Sequence, residues 1–179
     1  MQLMDHILNK TNFDFKRIHL KNYKNRELSQ LFKWNNSKSP APKPKHVFKV
    51  FFSKKKTFRN ERFEVLKEKH GSFYAFHGTK LQNARSILEF GLVNVFNERQ
   101  IYGDGVYLST DILETFNFSP FSKNFFLDSC FESSLSCVLL CEVIKHPQID
   151  QHSEFFFCFT LHKNNLFIFS LQKNRIKFQ

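Results

Sequence analysis

Phe73-Tyr74-Ala75-Phe76-His77-Gly78-Thr79, followed by Ser86-Ile87-Leu88-Glu89-Phe90-Gly91-Leu92 and then by Gly103-Asp104-Gly105-Val106-Tyr107-Leu108-Ser109-Thr110, is the stretch whose reading decides the fold. The apolar run ending in His-Gly-Thr predicts a strand over 73–77. Thr79 and Gln82 match a Ser/Thr-x-x-Glu/Gln capping box, Leu81, Ala84, Ile87 and Leu88 line one helical face, and Gly91 supplies a left-handed stop, so a helix is expected over about 80–90. Gly105–Thr110 predicts a second strand. Few folds require a strand, a capped helix and a Gly-x-Gly-x-Tyr strand in that order.

Working outward, His46–Ser53 reads as a strand, Lys54-Lys55-Lys56 as a turn or solvated edge, and Phe63–Lys69 as a short strand or turn. Asp111–Asn117 predicts a short helix capped by Thr110 or Asp111. Leu135–Ile144 is a strongly apolar strand interrupted by Glu142, and Phe155–Thr160 and Leu166–Leu171 are two more strands, with a turn expected at Lys163-Asn164-Asn165. Many strands with one or two helices predict an α+β fold with mixed or antiparallel sheets.

The chain has 179 residues, enough for one domain with a sizeable core. Residues 1–34 show scattered helical spacing at Leu20, Tyr23, Leu28, Leu31 and Phe32. Residues 35–45 hold three alternating prolines, which keep the backbone extended and forbid a helix. A boundary near 45 divides a basic N-terminal segment and Pro-rich linker (1–45) from the domain that follows (46–179). Of the net charge of +11, residues 1–45 carry +7, from ten Lys/Arg against three Asp/Glu. Such an arm suits an anionic partner, nucleic acid or a membrane surface, or is simply a solvated basic arm. The 25 Phe stand in many places where Leu, Ile, Val or Tyr would serve, and are not read as a cofactor signature.

The start lacks a basic region followed by an apolar run, so no secretory signal is expected, and Cys130, Cys137, Cys141 and Cys158 are read as reduced thiols. No run of about 18 apolar residues encodes a membrane span. A cytoplasmic or nuclear, non-secreted location follows as an expectation. Cys137 and Cys141 share one face of a strand, and with His146 or Cys158 could bind zinc, but two buried thiols are the stronger reading and no metal is expected. No Gly-x-Ser-x-Gly, P-loop or Rossmann fingerprint is present, which leaves serine hydrolase, nucleotide hydrolase and dinucleotide dehydrogenase chemistry without support.

The central motifs suit one kind of bond breaking. In NAD the nicotinamide is already a cationic leaving group, so cleavage of its bond to ribose needs no strong acid. It needs a flat ring held in place, a bound amide, support for an oxocarbenium-like sugar and a nucleophile. Tyr107 can stack on a ring, Gly78 admits a ligand close to its backbone N–H and C=O, and His77 can hydrogen-bond a ribose hydroxyl.

Tyr-Ala-Phe-His-Gly-Thr (74–79), Ser-Ile-Leu-x-x-Gly-Leu (86–92), Gly-x-Gly-x-Tyr-Leu (103–108), Phe-Ser-Pro (118–120) and Leu-Ser-Cys-Val-x-x-Cys-Glu-Val-Ile-x-His-Pro (135–147) together resemble the catalytic domain of the poly(ADP-ribose) polymerase superfamily of ADP-ribosyltransferases. The likeness covers about 40–179 and is greatest to its small, tail-anchored, mono-ADP-ribosylating branch of the endoplasmic reticulum. The resemblance implies an ADP-ribosyltransferase-like fold and an NAD-dependent protein mono-ADP-ribosyltransferase, with NAD as substrate and a protein as acceptor. It places His77 as the first member of a catalytic triad, bound to the adenosine-side ribose. Tyr107 becomes the second, stacked on nicotinamide; the Gly78 backbone grips the carboxamide, His77 helps orient that pocket, and Thr79 is placed among the NAD-binding residues. Thr115 falls where many members place an amide-binding Ser, and Phe118 where a second stacking Tyr is usual. The third triad position is Glu154 when the strand is aligned on its apolar run, and Phe156 when it is aligned on Thr160. A carboxylate there could hold the nicotinamide-side ribose; a Phe could only pack against it. Transfer of a single unit is expected in either case. Residues 93–102 would form a loop over NAD. With the sequence reading Lys177-Phe178-Gln179 at its end, the branch's membrane anchor is not expected here, and its membrane residence is not carried over as an expectation. Two other functions remain open: a module that binds NAD or ADP-ribose without turnover, and a basic tether for nucleic acid or membrane.

Overall fold

The computed structural model describes residues 13–18, 44, 46–52, 58–92, 105–123, 134–147, 149–151, 156–159 and 167–172. Among them lie nine strands: β1 (Phe13–Ile18), β2 (His46–Phe52), β3 (Ser72–Thr79), β4 (Val106–Ser109), β5 (Ser122–Lys123), β6 (Ser134–Ile144), β7 (Asp150–Gln151), β8 (Phe156–Phe159) and β9 (Phe167–Gln172). Three helices accompany them: α1 (Phe58–His70), α2 (Ala84–Phe90) and α3 (Ile112–Thr115). The strands form one sheet in the order β1-β2-β9-β6-β3-β4-β8-β7, with β5 also on β6. Every described ladder is antiparallel. This is the α+β class expected, with the sheet antiparallel throughout its described pairs.

β6 lies between β3 and β9, and Leu135 to Ile144 are all buried. A strand covered on both faces reads as a continuous apolar run, not as an alternation, which is why this segment is so apolar. Leu135, Cys137, Leu139, Cys141 and Val143 share one face and join a core with Ala75, Val106 and Leu108 and with Leu81, Ala84 and Leu88 beside and within α2. The opposite face of β6 carries Ser136, Val138, Leu140, Glu142 and Ile144. Lys67 of α1 reaches Glu142 there, and Ser119, just beyond α3, reaches Ser136. The sheet therefore has α2 on one face and α1 with the α3 segment on the other.

Several expectations are corrected. Residues 63–69 form most of α1, not a strand or turn. Phe63 and Val65 mimic an alternation, but Phe63 is 1% exposed and Val65 64% exposed, as two positions apart on a helix allow. Glu61 in the first turn and Lys67, Lys69 and His70 in the last complement the helix dipole. Gly71 ends the helix at φ +74°, its N–H donating to the Lys67 carbonyl at 2.8 Å. The capping box at Thr79 is not formed: Thr79 is the last residue of β3, and a 3-10 turn at Leu81–Asn83 precedes α2 without a side-chain cap. Asn83 Nδ2 makes only a long 3.5 Å contact with Thr79 Oγ1. The Gly91 stop is present, at φ +89°. Within 1–34 only residues 13–18 are described, and they form β1, which pairs along its length with β2; the helical spacing at Leu20, Tyr23, Leu28, Leu31 and Phe32 lies outside the described residues. The two strands expected near the C-terminus are present as β8 and β9, with β9 between β2 and β6 and β8 beyond β4. The expected features at 35–43, 54–56, 93–102 and 163–165 lie outside the described residues.

Candidate functional site

The site is built at the Thr79 end of β3. The described β3–β4 ladder consists of one pair, Phe76↔Ser109. Beyond it the two strands are joined by a side chain: His77 Nδ1 lies 2.9 Å from the Tyr107 carbonyl oxygen. A carbonyl can only accept, so Nδ1 carries the proton and donates. Burial pushes the imidazole below its ordinary value of 6.5, with the Tyr107 bond acting in the opposite sense. The ring is therefore neutral near pH 7 and Nε2 keeps a lone pair. That tautomer can accept a hydrogen bond from a hydroxyl, as binding of a ribose requires.

Gly78 is the second element. A Cβ built there would stand 1.9 Å from the Thr115 carbonyl oxygen and 3.3 Å from the Phe118 Cβ. Close approach at Gly78 is thus made by the chain itself, a reason the ligand-centred reading of this glycine had missed. The approaching segment is short and firmly placed. Asp111 caps α3, its carboxylate accepting from the Leu113 N–H at 2.8 Å, and the Asp111 N–H donates to Ser109 Oγ at 3.0 Å. A 3-10 turn, Phe116–Phe118, continues from α3. The buried Thr115 hydroxyl donates to the Ile112 carbonyl at 2.6 Å, so what it can offer a ligand is an acceptor. Ser119 and Ser136 close the segment onto β6 through reciprocal contacts.

The structure thus brings together His77, Gly78, Tyr107, Thr115 and Phe118, with His77, Tyr107 and Phe118 half-buried and Thr79 and Thr115 buried. Of the alternatives for the third triad position, Phe156 is at the register position opposite Ser109, two pairs along from Tyr107↔Cys158. Glu154 lies outside the described residues, as does Gly103. Cys137 and Cys141 are buried free thiols; burial holds both far above the ordinary range, Cys137 at about 12. Among the described residues no group of three or more His, Cys, Asp or Glu is arranged to hold a metal, and no helix is long and apolar enough to cross a membrane. The serine pair was missed in the sequence, although a hydroxyl at Ser136 inside an apolar strand, and a Ser directly after Phe118, were visible signals.

Comparison with known proteins bears on the same residues. A family model described as the poly(ADP-ribose) polymerase catalytic domain matches residues 22–154. Protein mono-ADP-ribosyltransferase PARP16 of Mus musculus is 34% identical over 111 residues, 62% of this chain and 33% of that protein. Its Homo sapiens counterpart is 33% identical over the same shares. Protein mono-ADP-ribosyltransferase PARP8 of Mus musculus is 30% identical over 126 residues, 54% of this chain and 15% of that protein. The match therefore spans a third or less of the length of these relatives.

Proposed function

This chain belongs to the poly(ADP-ribose) polymerase catalytic-domain family, and on that premise we propose that it is an NAD-dependent protein mono-ADP-ribosyltransferase. The observation that carries the reading is the convergence at one end of β3 of a neutral His77, held by the Tyr107 carbonyl, with Gly78 packed on the Thr115–Phe118 segment. Nε2 of His77 accepts from a ribose hydroxyl. Tyr107 and Phe118 offer ring faces for the nicotinamide, and Phe118 loses only the hydroxyl that a Tyr would add. The backbone around Gly78 and the Thr115 oxygen meet the carboxamide.

In the reaction, the bond between ribose C1′ and the nicotinamide nitrogen breaks with its electron pair going to nitrogen, which releases neutral nicotinamide. An acceptor side chain bonds to C1′ and gives up its proton. The chain's residues supply position and electrostatics, without acid catalysis of the departure. A carboxylate at Glu154 would hold the second ribose and favour the positive sugar. With Phe156 in that place the site would only pack against it.

The test is incubation with NAD labelled in the ADP-ribose part, following nicotinamide release and label on protein. Wild-type protein should release nicotinamide and become labelled or label an added acceptor. His77→Ala and Tyr107→Ala should reduce both. Equal background from all three proteins would remove the enzyme reading. The register position of Phe156 favours one second reading, binding without turnover. Calorimetric binding of NAD with no nicotinamide released would select it.

A further inference from the structure

Ser119 and Ser136 have no role in the reaction just described, yet they tie the Phe118 segment to the central strand. Ser119 Oγ lies 2.5 Å from Ser136 Oγ and 2.6 Å from the Cys137 carbonyl oxygen. Ser136 Oγ donates back to the Ser119 carbonyl at 2.8 Å. Both residues are buried, Ser119 at 2% and Ser136 at 0% exposure. Two hydroxyls bring two protons to three short contacts. The Ser136 proton goes to the Ser119 carbonyl, so the Ser119 proton is shared between Ser136 Oγ and the Cys137 carbonyl. The contacts close a ring through the backbone and the side chain of Ser119, which fixes both.

The same segment is fixed elsewhere. Its entry is held on β4 by Asp111 N–H to Ser109 Oγ, and its middle rests on Gly78 of β3. The serine pair therefore sets where its last turn, with Phe118, comes to rest. An apolar residue at Ser136 would suit a fully buried strand but could not define that position, whereas a buried hydroxyl tolerates only an arrangement that satisfies it.

We infer that Ser119 and Ser136 are positioning residues that seat the Phe118 ring and the Thr115 end of α3 against Gly78, and thereby set affinity for the carboxamide ring of the substrate separately from its ADP-ribose part. The inference rests on the proposed function, in which Phe118 faces the nicotinamide.

The experiment titrates two probes separately into the full chain by calorimetry: benzamide for the carboxamide ring and ADP-ribose for the remainder. In Ser119→Ala or Ser136→Ala the benzamide Kd should rise roughly tenfold, the scale of one buried hydrogen bond. The ADP-ribose Kd should stay within about twofold, and the double variant should match either single one because the two act as a unit. A general loss of structure would lower the bound fraction for both probes together. Equal weakening of both, or unchanged benzamide affinity in a folded variant, overturns the inference. Where the alanine variants do not fold, Phe118→Leu should reproduce the selective loss and Ser119→Thr, which keeps the hydroxyl, should preserve benzamide affinity. Either result in the opposite sense also overturns the inference. Wild-type protein that binds neither probe overturns the proposed function with it, and that failure is distinguishable because it precedes any substitution.

Discussion

β3 begins and ends in opposite chemical states. At its Ser72 end, Glu142 of β6 is nearly inaccessible, and its carboxylate accepts from Ser72 Oγ at 2.7 Å and pairs with Lys67 Nζ at 2.6 Å. Tyr74 lies in register with it. The buried charge is closed by the protein's own groups, and the result is a clamp between α1 and the sheet. At the Thr79 end, the polar group is an imidazole with one nitrogen engaged by the Tyr107 carbonyl, surrounded by half-buried rings and a glycine. An imidazole that keeps an acceptor nitrogen beside half-buried Tyr107 and Phe118 has what a receiving surface requires. The same strand supports both, so the presence of buried polar residues does not by itself indicate a site. What distinguishes the two ends is whether the chain completes the coordination.

The comparison is broken most severely at Gly78. Gly78→Ala places a methyl 1.9 Å from the Thr115 carbonyl oxygen, and backbone cannot yield as a side chain can. Destabilisation of about 2–4 kcal/mol is expected from such overpacking, together with loss of nicotinamide release; urea unfolding and turnover measure the two. Wild-type behaviour in both would show that the segment is not held where it is described.

At the clamp end, Lys67→Met should cost about 1–3 kcal/mol, because Glu142 is left buried with its charge less well matched while the partly exposed lysine discounts the effect. Turnover per folded molecule should be unchanged. Adding Glu142→Met should recover much of the loss, and a purely additive double variant would argue against the pair. The Lys67 ammonium is held above its ordinary value of 10.5, first by its hydrogen bond to Glu142. This contribution is therefore complete below 10.5 and lost as pH rises through the raised value.

At the receiving end the pattern inverts. His77→Ala should weaken NAD binding about 10- to 100-fold with a midpoint in urea shifted far less than that of Lys67→Met. Comparable loss of stability and of binding would place His77 with the clamp. The smallest expected effect is in pH. The folded His77 value lies below 6.5 because of burial. As pH falls, the unfolded chain takes up a proton first, so this stability is present above 6.5 and is lost as pH falls through the depressed value. ADP-ribose affinity should stay level from pH 8 to 6.5 and decline only below. A midpoint at or above 6.5, tracked by imidazole NMR, would contradict the neutral tautomer.

Much of this was legible in the chain. The β3 and β6 runs, the short helix capped by Asp111 and the Gly91 stop are local consequences of side-chain size and turn chemistry, and each is present. The helix at Phe58–His70 was less legible because it is rich in helix-favouring charged residues and, among the side chains described over 61–70, only Phe63 is fully buried, which leaves little periodicity to detect. Thr79 was misread for another reason: capping competes with strand pairing, and the Thr79↔Cys137 pairing with β6 prevails.

The sequence alone determined the α+β class and the family, because motif order and apolar runs are properties of neighbouring residues. It also brought His77, Gly78, Tyr107, Thr115 and Phe118 into view as candidates. Only the tertiary structure decided that Gly78 makes room for the Thr115 carbonyl, that the Tyr107 carbonyl selects the His77 tautomer, and that Ser136 answers Ser119 across the sheet. Those are contacts between segments distant in the chain, set by register and packing, and no local pattern encodes them.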